Sequence, residues 1–253
     1  MSSDHRAWAV LVAALGVGAA IAIAGVPISG DAHDLRLPAR SLPAPTVSDP
    51  PTSSTRAVEA ELRMTVIGDS YTGGSAEGGA MGTKENWVAR MQHSLKVDGH
   101  RAAVNVVGLS GSGYVATGLD GRNFATAVSD EVTSATELVL FLGSRNDMGT
   151  TSDELVAAAQ QAYTEARSIA PDVDLLVIGA PWVNENIPSE VIAVNEALRV
   201  AAEQFGAQFI DPVNDGWFFG QNSLLIGLDG VHPTNEGHVY MAGIITPLVA
   251  SYF

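Results

Sequence analysis

From Glu61 to Phe253 the chain alternates short apolar runs with amphipathic stretches. The pattern predicts strands at Met64–Ile67, Ala103–Val107, Leu138–Leu142, Leu175–Ile178 and Gln208–Ile210. Their nearly continuous apolar character suits parallel strands covered on both faces. Between them lie helical patterns with recognisable ends. Thr151 and Glu154 form a capping box, after which Leu155, Ala159, Ala162, Ala166 and Ile169 recur at spacings of four and three until Pro171. A second helix has Pro188 near its start, Val191, Val194, Leu198, Ala201 and Phe205 on one face, and Gly206 as its stop. A third carries Ala242, Ile245, Val249 and Tyr252. This βαβα alternation implies an α/β domain, a three-layer αβα sandwich around a five-stranded parallel sheet. Ligands in such folds sit beyond the carboxyl ends of the strands, so function is sought just after each strand.

The first 60 residues follow another pattern. Ala7 to Ile28 is a stretch of 22 residues without a charge. As a helix it would run roughly 33 Å, about the thickness of a bilayer core. That exceeds the ~7–15 apolar residues of a secretory signal, so an N-terminal membrane anchor is expected. The small residues Ala22 to Ala24 resemble a cleavage site and keep a signal peptide as the other reading. Next come Pro38, Pro43, Pro45, Pro50 and Pro51 among Ser, Thr, Asp and Arg, with no sustained period. Such a stretch buries too little apolar surface to offset its ordering entropy. The expected organisation is an anchor or signal peptide over 1–28, a proline-rich flexible linker over 29–60 and a monomeric domain over 61–253. This layout implies an exported protein, held at the membrane and facing outside, or secreted after cleavage.

Composition then narrows the partners. The chain has 28 acidic and 13 basic residues, a net charge of −15. Nucleic acid is therefore not an expected ligand, since phosphate backbones call for a basic face. There is no cysteine, which excludes disulfides and thiol catalysis. The histidines His5, His33, His93 and His100 show no metal-ligand spacing, so neither a metal nor another cofactor is expected. The glycine-rich "GGSAEGG", Gly73 to Gly79, lacks the Gly-Lys-Ser/Thr ending of a phosphate loop and reads as a flexible wall.

Four polar blocks follow the strands. "GDSYTGGS" begins at Gly68, "GLSGSGY" spans Gly108 to Tyr114, "GSRND" spans Gly143 to Asp147, and "LDGVHPTNEGH" places Asp229 three residues before His232. In this order they resemble the SGNH (GDSL-type) serine hydrolase superfamily, over roughly the last three-quarters of the chain. The resemblance implies a flavodoxin-like fold and an esterase acting on a small ester or an acylated glycan or lipid. It also implies a triad of Ser70, His232 and Asp229, and an oxyanion hole from the Ser70 N–H, the Gly111 N–H and the Asn146 amide. Block three departs from the family's Gly-x-Asn-Asp by one inserted residue, Ser144 and Arg145 both standing before Asn146. Block two offers Gly108 as a second choice to Gly111.

The chemistry accounts for these residue types. A serine hydroxyl is a weak nucleophile and needs a neighbouring base of near-neutral pKa, a role suited to imidazole. A carboxylate then fixes the tautomer of that ring and stabilises its cation. Negative charge on the carbonyl oxygen needs donors set in advance. Simpler readings stand beside these: Ser70 as a helix cap, Asn146 as a turn residue, Asp69 as a turn ligand and His238 as a packing residue. Tyr71, Arg145 and Trp182 are the expected substrate contacts. Trp217, Phe218, Phe219 and Met148 either line an acyl pocket or anchor their loops. Hydrolysis of acyl or acetyl esters in the cell envelope is the leading expectation. Acyl transfer to envelope glycans, or a non-catalytic binding module on the same fold, are the alternatives.

Overall fold

Five parallel strands in the spatial order β4-β1-β5-β6-β7 form the central sheet. They are β1 (Leu62–Gly68), β4 (Ala102–Gly108), β5 (Leu138–Leu142), β6 (Asp174–Ile178) and β7 (Gln208–Ile210). The remaining strands, β2 (Gly74–Ser75) and β3 (Ala80–Met81), make a two-residue antiparallel pair after the short helix α1 (Ser70–Gly73). The computed structural model describes residues 61–75, 80–81 and 86–253. The expected anchor, the linker and Ala76 to Gly79 of the glycine-rich loop lie outside the described residues. Among the described residues no helix is long and apolar enough to cross a membrane.

Helices cover both faces of the sheet. On one side lie α3 (Phe124–Glu131), α4 (Ser152–Ile169) and α5 (Ser189–Phe205); on the other lie α2 (Trp87–Val97) and α6 (Asn235–Ala250). Strand alternation divides the core accordingly. Ile67, Val139, Phe141, Leu175 and Val177 pack with Phe124, Leu155 and Leu198. Val66, Leu138, Leu140, Leu176 and Ile178 pack with Trp87, Met91 and Ile245. All five residues of β5 are buried because it is the middle strand, with a neighbour on each edge and helices on each face. The edge strand β4 is half-exposed, which matches the polar Asn105 in its middle.

Local chemistry sets the helix ends. The Thr151 hydroxyl accepts from the Glu154 N–H at 3.4 Å to start α4. Gly206 closes α5 in the left-handed region at φ 64°. Asn86 caps α2 by accepting from the Ala89 N–H at 3.1 Å, and donates its amide to the Thr72 carbonyl at 2.8 Å. That second bond ties the start of α2 to the helix that carries Ser70. The strand order reverses between β4-β1 and β1-β5, so the loops after these three strands diverge around a crevice.

Candidate active site

Asp69 follows β1 and caps α1, its carboxylate accepting from the Tyr71 N–H at 2.9 Å. Ser70 is thereby the first residue of the helix, a position whose N–H has no intrahelical acceptor. Its hydroxyl lies 2.9 Å from His232 Nε2. The other ring nitrogen, Nδ1, lies 2.6 Å from Asp229 Oδ2. Asp229 Oδ1 accepts from the N–H groups of Val231 and His232 at 2.9 and 3.0 Å, so the loop before α6 folds around this carboxylate. Burial acts to raise the Asp229 pKa, but the His232 ring and those two N–H groups outweigh it and hold the carboxyl below its ordinary range. A serine 162 residues from the histidine and a carboxylate three residues from it thus form one continuous line of hydrogen bonds.

The line opens onto a pocket of about 330 Å³ bordered by Ser70, Ser110, Gly111, Arg145, Asn146, Val231 and His232. Gly111 turns the loop after β4 at φ 77°, a conformation that side chains rarely adopt. Of the two glycines considered for this loop, Gly111 borders the pocket and Gly108 does not. Among the described residues neither the Ser70 nor the Gly111 N–H has a protein acceptor. The Asn146 amide donates to the Ser112 carbonyl at 2.8 Å and lies 3.3 Å from Asp69 Oδ2. Ser144, part of the inserted step in block three, is buried, and its hydroxyl contacts Asp69 at 2.9 Å and the Ser112 carbonyl at 2.7 Å. Desolvation pushes the buried Asp69 carboxyl up to about 6 against the hydrogen bonds from Tyr71 and Ser144.

Other expected contacts fall in different places. Tyr71 does not face the pocket: it is 1% exposed, packs edge-on against Phe218, and donates its hydroxyl to the Val231 carbonyl. Its hydroxyl is held by the loop that carries His232. Burial raises its pKa far above the ordinary value, while the nearby Arg145 charge pulls the other way. Arg145 borders the pocket and stacks on Trp182, with its guanidinium carbon 4.5 Å from the ring centre. Trp217 and Phe218 are core residues at 2% and 0% exposure, so they anchor their loop. His238 is fully buried and accepts from the Trp87 N–H at 3.3 Å; desolvation pushes its pKa down to about 4. No cluster able to hold a metal ion occurs among the described residues.

Pattern reading missed Ser110, Val231 and Asp147. Asp147 is buried, and its two oxygens accept from the N–H groups of Tyr114, Val115 and Ala116 at 2.8 to 3.0 Å. A Cβ on Gly113 would meet this carboxylate at 2.3 Å, so only glycine admits it. Two blocks of the motif are therefore locked together by the residue that ends one of them. Its place beside Asn146 was the only local hint.

An α/β sheet with a serine, an imidazole and a carboxylate in line at its carboxyl edge defines the class: this is a hydrolase acting on ester bonds. Residues 66–240 match the GDSL-like Lipase/Acylhydrolase family, and the chain belongs to it as an SGNH (GDSL-type) hydrolase. It is similar to a GDSL lipase of Mycobacterium tuberculosis, 38% identical over 190 residues that cover 74% of this chain and 81% of the relative. Its fold is like that of Est24, a carbohydrate acetylesterase from Sinorhizobium meliloti, with TM-score 0.58 and 17% identity over 76% of this chain and 100% of that one. It is also like the aryl esterase of M. smegmatis, with TM-score 0.58 and 16% identity over 76% and 100% of the two chains.

Proposed function

We propose that Ser70, His232 and Asp229 are the nucleophile, base and orienting carboxylate of an esterase that removes short acyl groups, acetyl among them, from carbohydrate or lipid esters. The observation that carries this reading is the line of contacts from Ser70 Oγ to His232 Nε2 at 2.9 Å and from His232 Nδ1 to Asp229 Oδ2 at 2.6 Å. Ser70 Oγ attacks the acyl carbon as His232 Nε2 takes its proton. The depressed pKa of Asp229 keeps it ionised at neutral pH, where it stabilises the imidazolium through Nδ1–H. The carbonyl oxygen becomes an oxyanion held by the Ser70 and Gly111 N–H groups and by the Asn146 amide. Asn146 supplies the hydrogen whose contact with Asp69, at 3.3 Å, is the weaker of its two. His232 returns its proton to the leaving alkoxide. Water then attacks the acyl-serine by the same route and frees the acid.

The preference for a short acyl group is supported by the pocket border, where Val231 is the only large apolar side chain among the described residues. The carbohydrate reading is supported by the acetylesterase among the fold neighbours, and the lipid reading by the mycobacterial relative. A site in the cell envelope is supported by the uncharged stretch Ala7–Ile28 followed by the proline-rich segment; fractionation of expressing cells tests it, and a wholly cytosolic protein would refute it.

A fluorophosphonate probe tests the nucleophile. It should label the wild type and leave Ser70→Ala unlabelled, and equal labelling of both would remove Ser70 from the role. p-Nitrophenyl esters from acetyl to palmitoyl test the acyl range. Cleavage should be fastest for the shortest members, and a maximum at long chains would reverse the assignment.

A further inference from the structure

Among the described residues Arg145 is the one strong positive charge on the border of the pocket, in a chain whose net charge is −15. Its surroundings hold the guanidinium without a direct ion pair among the described residues. Trp182 lies under it at 4.5 Å, and the indole is itself fixed by donating to the Asn186 carbonyl at 2.9 Å. Arg145 enters no ion pair among the described residues, whereas Arg101, Arg122 and Arg199 do; Arg63 and Arg167 share its lack of one but do not border the pocket. Its Nη1 is sealed from solvent with no hydrogen-bond partner among them. The two acids closest to the site are otherwise engaged. Asp69 is held by Tyr71, Ser144 and Asn146, and Asp229 by His232 and its own loop. Asp69 feels the Arg145 charge across the site, but among the described residues no carboxylate comes within ion-pair distance of the guanidinium. A half-buried cation without such a contact is costly unless something that binds there supplies one.

We propose that Arg145 reads an anionic group on the substrate: the ester cleaved here carries a carboxylate or a phosphate close to its scissile carbonyl. This inference rests on the esterase reading of the same pocket. Arginine suits the task because Nε and Nη2, its donors besides the sealed Nη1, form one edge of its planar fork and can meet either oxyanion with two hydrogen bonds. Stacking on Trp182 also fixes its plane in advance. Its neighbour in sequence, Asn146, faces the acyl oxygen in that reading, so charge recognition and oxyanion binding come from adjacent residues of one turn. The step inserted into block three is what places a side chain here. Ser144 turns inward to Asp69, and Arg145 turns to the pocket border.

Matched ester pairs test the proposal. One compares mono-p-nitrophenyl glutarate with its methyl ester, and the other compares acetylated glycerol 3-phosphate with acetylated glycerol. In at least one pair the anionic member should have a kcat/KM higher by about tenfold or more, mainly through KM. The pair that responds identifies carboxylate or phosphate as the source. The ratio should shrink as salt is raised, fall to about one in Arg145→Gln, and survive in part in Arg145→Lys. No preference in either pair, or a preference that persists in Arg145→Gln, overturns the proposal. The salt series uses the wild type alone, so it decides the matter even where the Gln variant fails to fold.

Should the wild type cleave none of the four esters and escape the fluorophosphonate, the catalytic reading fails by itself. Binding of glutarate and of glycerol 3-phosphate, followed by tryptophan fluorescence, then decides the role of Arg145. Saturable, salt-sensitive binding lost in Arg145→Gln upholds it, and no binding in the wild type ends it.

Discussion

Asp229 never touches the ester in the mechanism proposed above, yet its removal should be costly. It holds Nδ1 of His232 at 2.6 Å and so leaves Nε2 free to accept the Ser70 proton. An asparagine there can donate to Nδ1 and select the wrong tautomer. Asp229→Asn is therefore expected to lower kcat by roughly 10³–10⁴-fold with KM changed little. Steady-state kinetics on p-nitrophenyl acetate measure this, and an unchanged kcat would mean that another group orients the ring. The pairing of Asp229 with His232 is readable in sequence because both ends of the contact lie within one short turn. Tyr71 is the contrary case. It stands beside Ser70 in sequence, but the helical turn there points it into the core, toward Phe218 and the Val231 carbonyl. Adjacency in a motif says nothing about which way a side chain faces.

Individual elements show the same limit in another form. The five strands are legible because burial on both faces leaves an unbroken apolar run, and α4 is legible because Thr151 and Pro171 mark its ends. Pattern reading does not isolate α3, which is eight residues long, so a period of 3.6 barely repeats within it. Nor does it reveal how the loops after β4 and β5 hold one another, since that is a contact across more than thirty residues. The Asp147 carboxylate is the clasp. Without it one buried and two half-buried backbone N–H groups lose their acceptor, and the loop that carries Gly111 loses its support. Asp147→Ala should cost about 2–4 kcal/mol in urea unfolding. It should also lower kcat more than it raises KM, because the oxyanion donors drift while the pocket border stays. Full stability in this variant would show that water replaces the carboxylate without loss.

For the molecule as a whole, two buried groups that both sense His232 pull stability in opposite directions over the same pH range. The Asp69 pKa is raised from 3.8 to about 6, chiefly by desolvation. The folded state then holds a proton that the unfolded chain has released, so stability falls as pH rises from about 4 to 6. Desolvation lowers the His238 pKa from 6.5 to about 4. There the unfolded chain holds the proton instead, and stability rises over nearly the same interval. Each effect is about 3 kcal/mol, since one pKa unit corresponds to about 1.4 kcal/mol, and the two largely cancel. Asp147, also raised by burial, adds to the Asp69 trend, whereas the lowered pKa of Asp229 acts at more acidic pH. The wild type should therefore show nearly flat stability between pH 4.5 and 6.5. Asp69→Asn keeps an acceptor for the Tyr71 N–H and a donor toward Ser144, and should gain stability as pH rises. His238→Asn keeps an acceptor for the Trp87 N–H and should lose it. Urea unfolding at the two pH values reads both slopes. Three parallel profiles would mean that neither burial survives as a difference between the folded and unfolded chains.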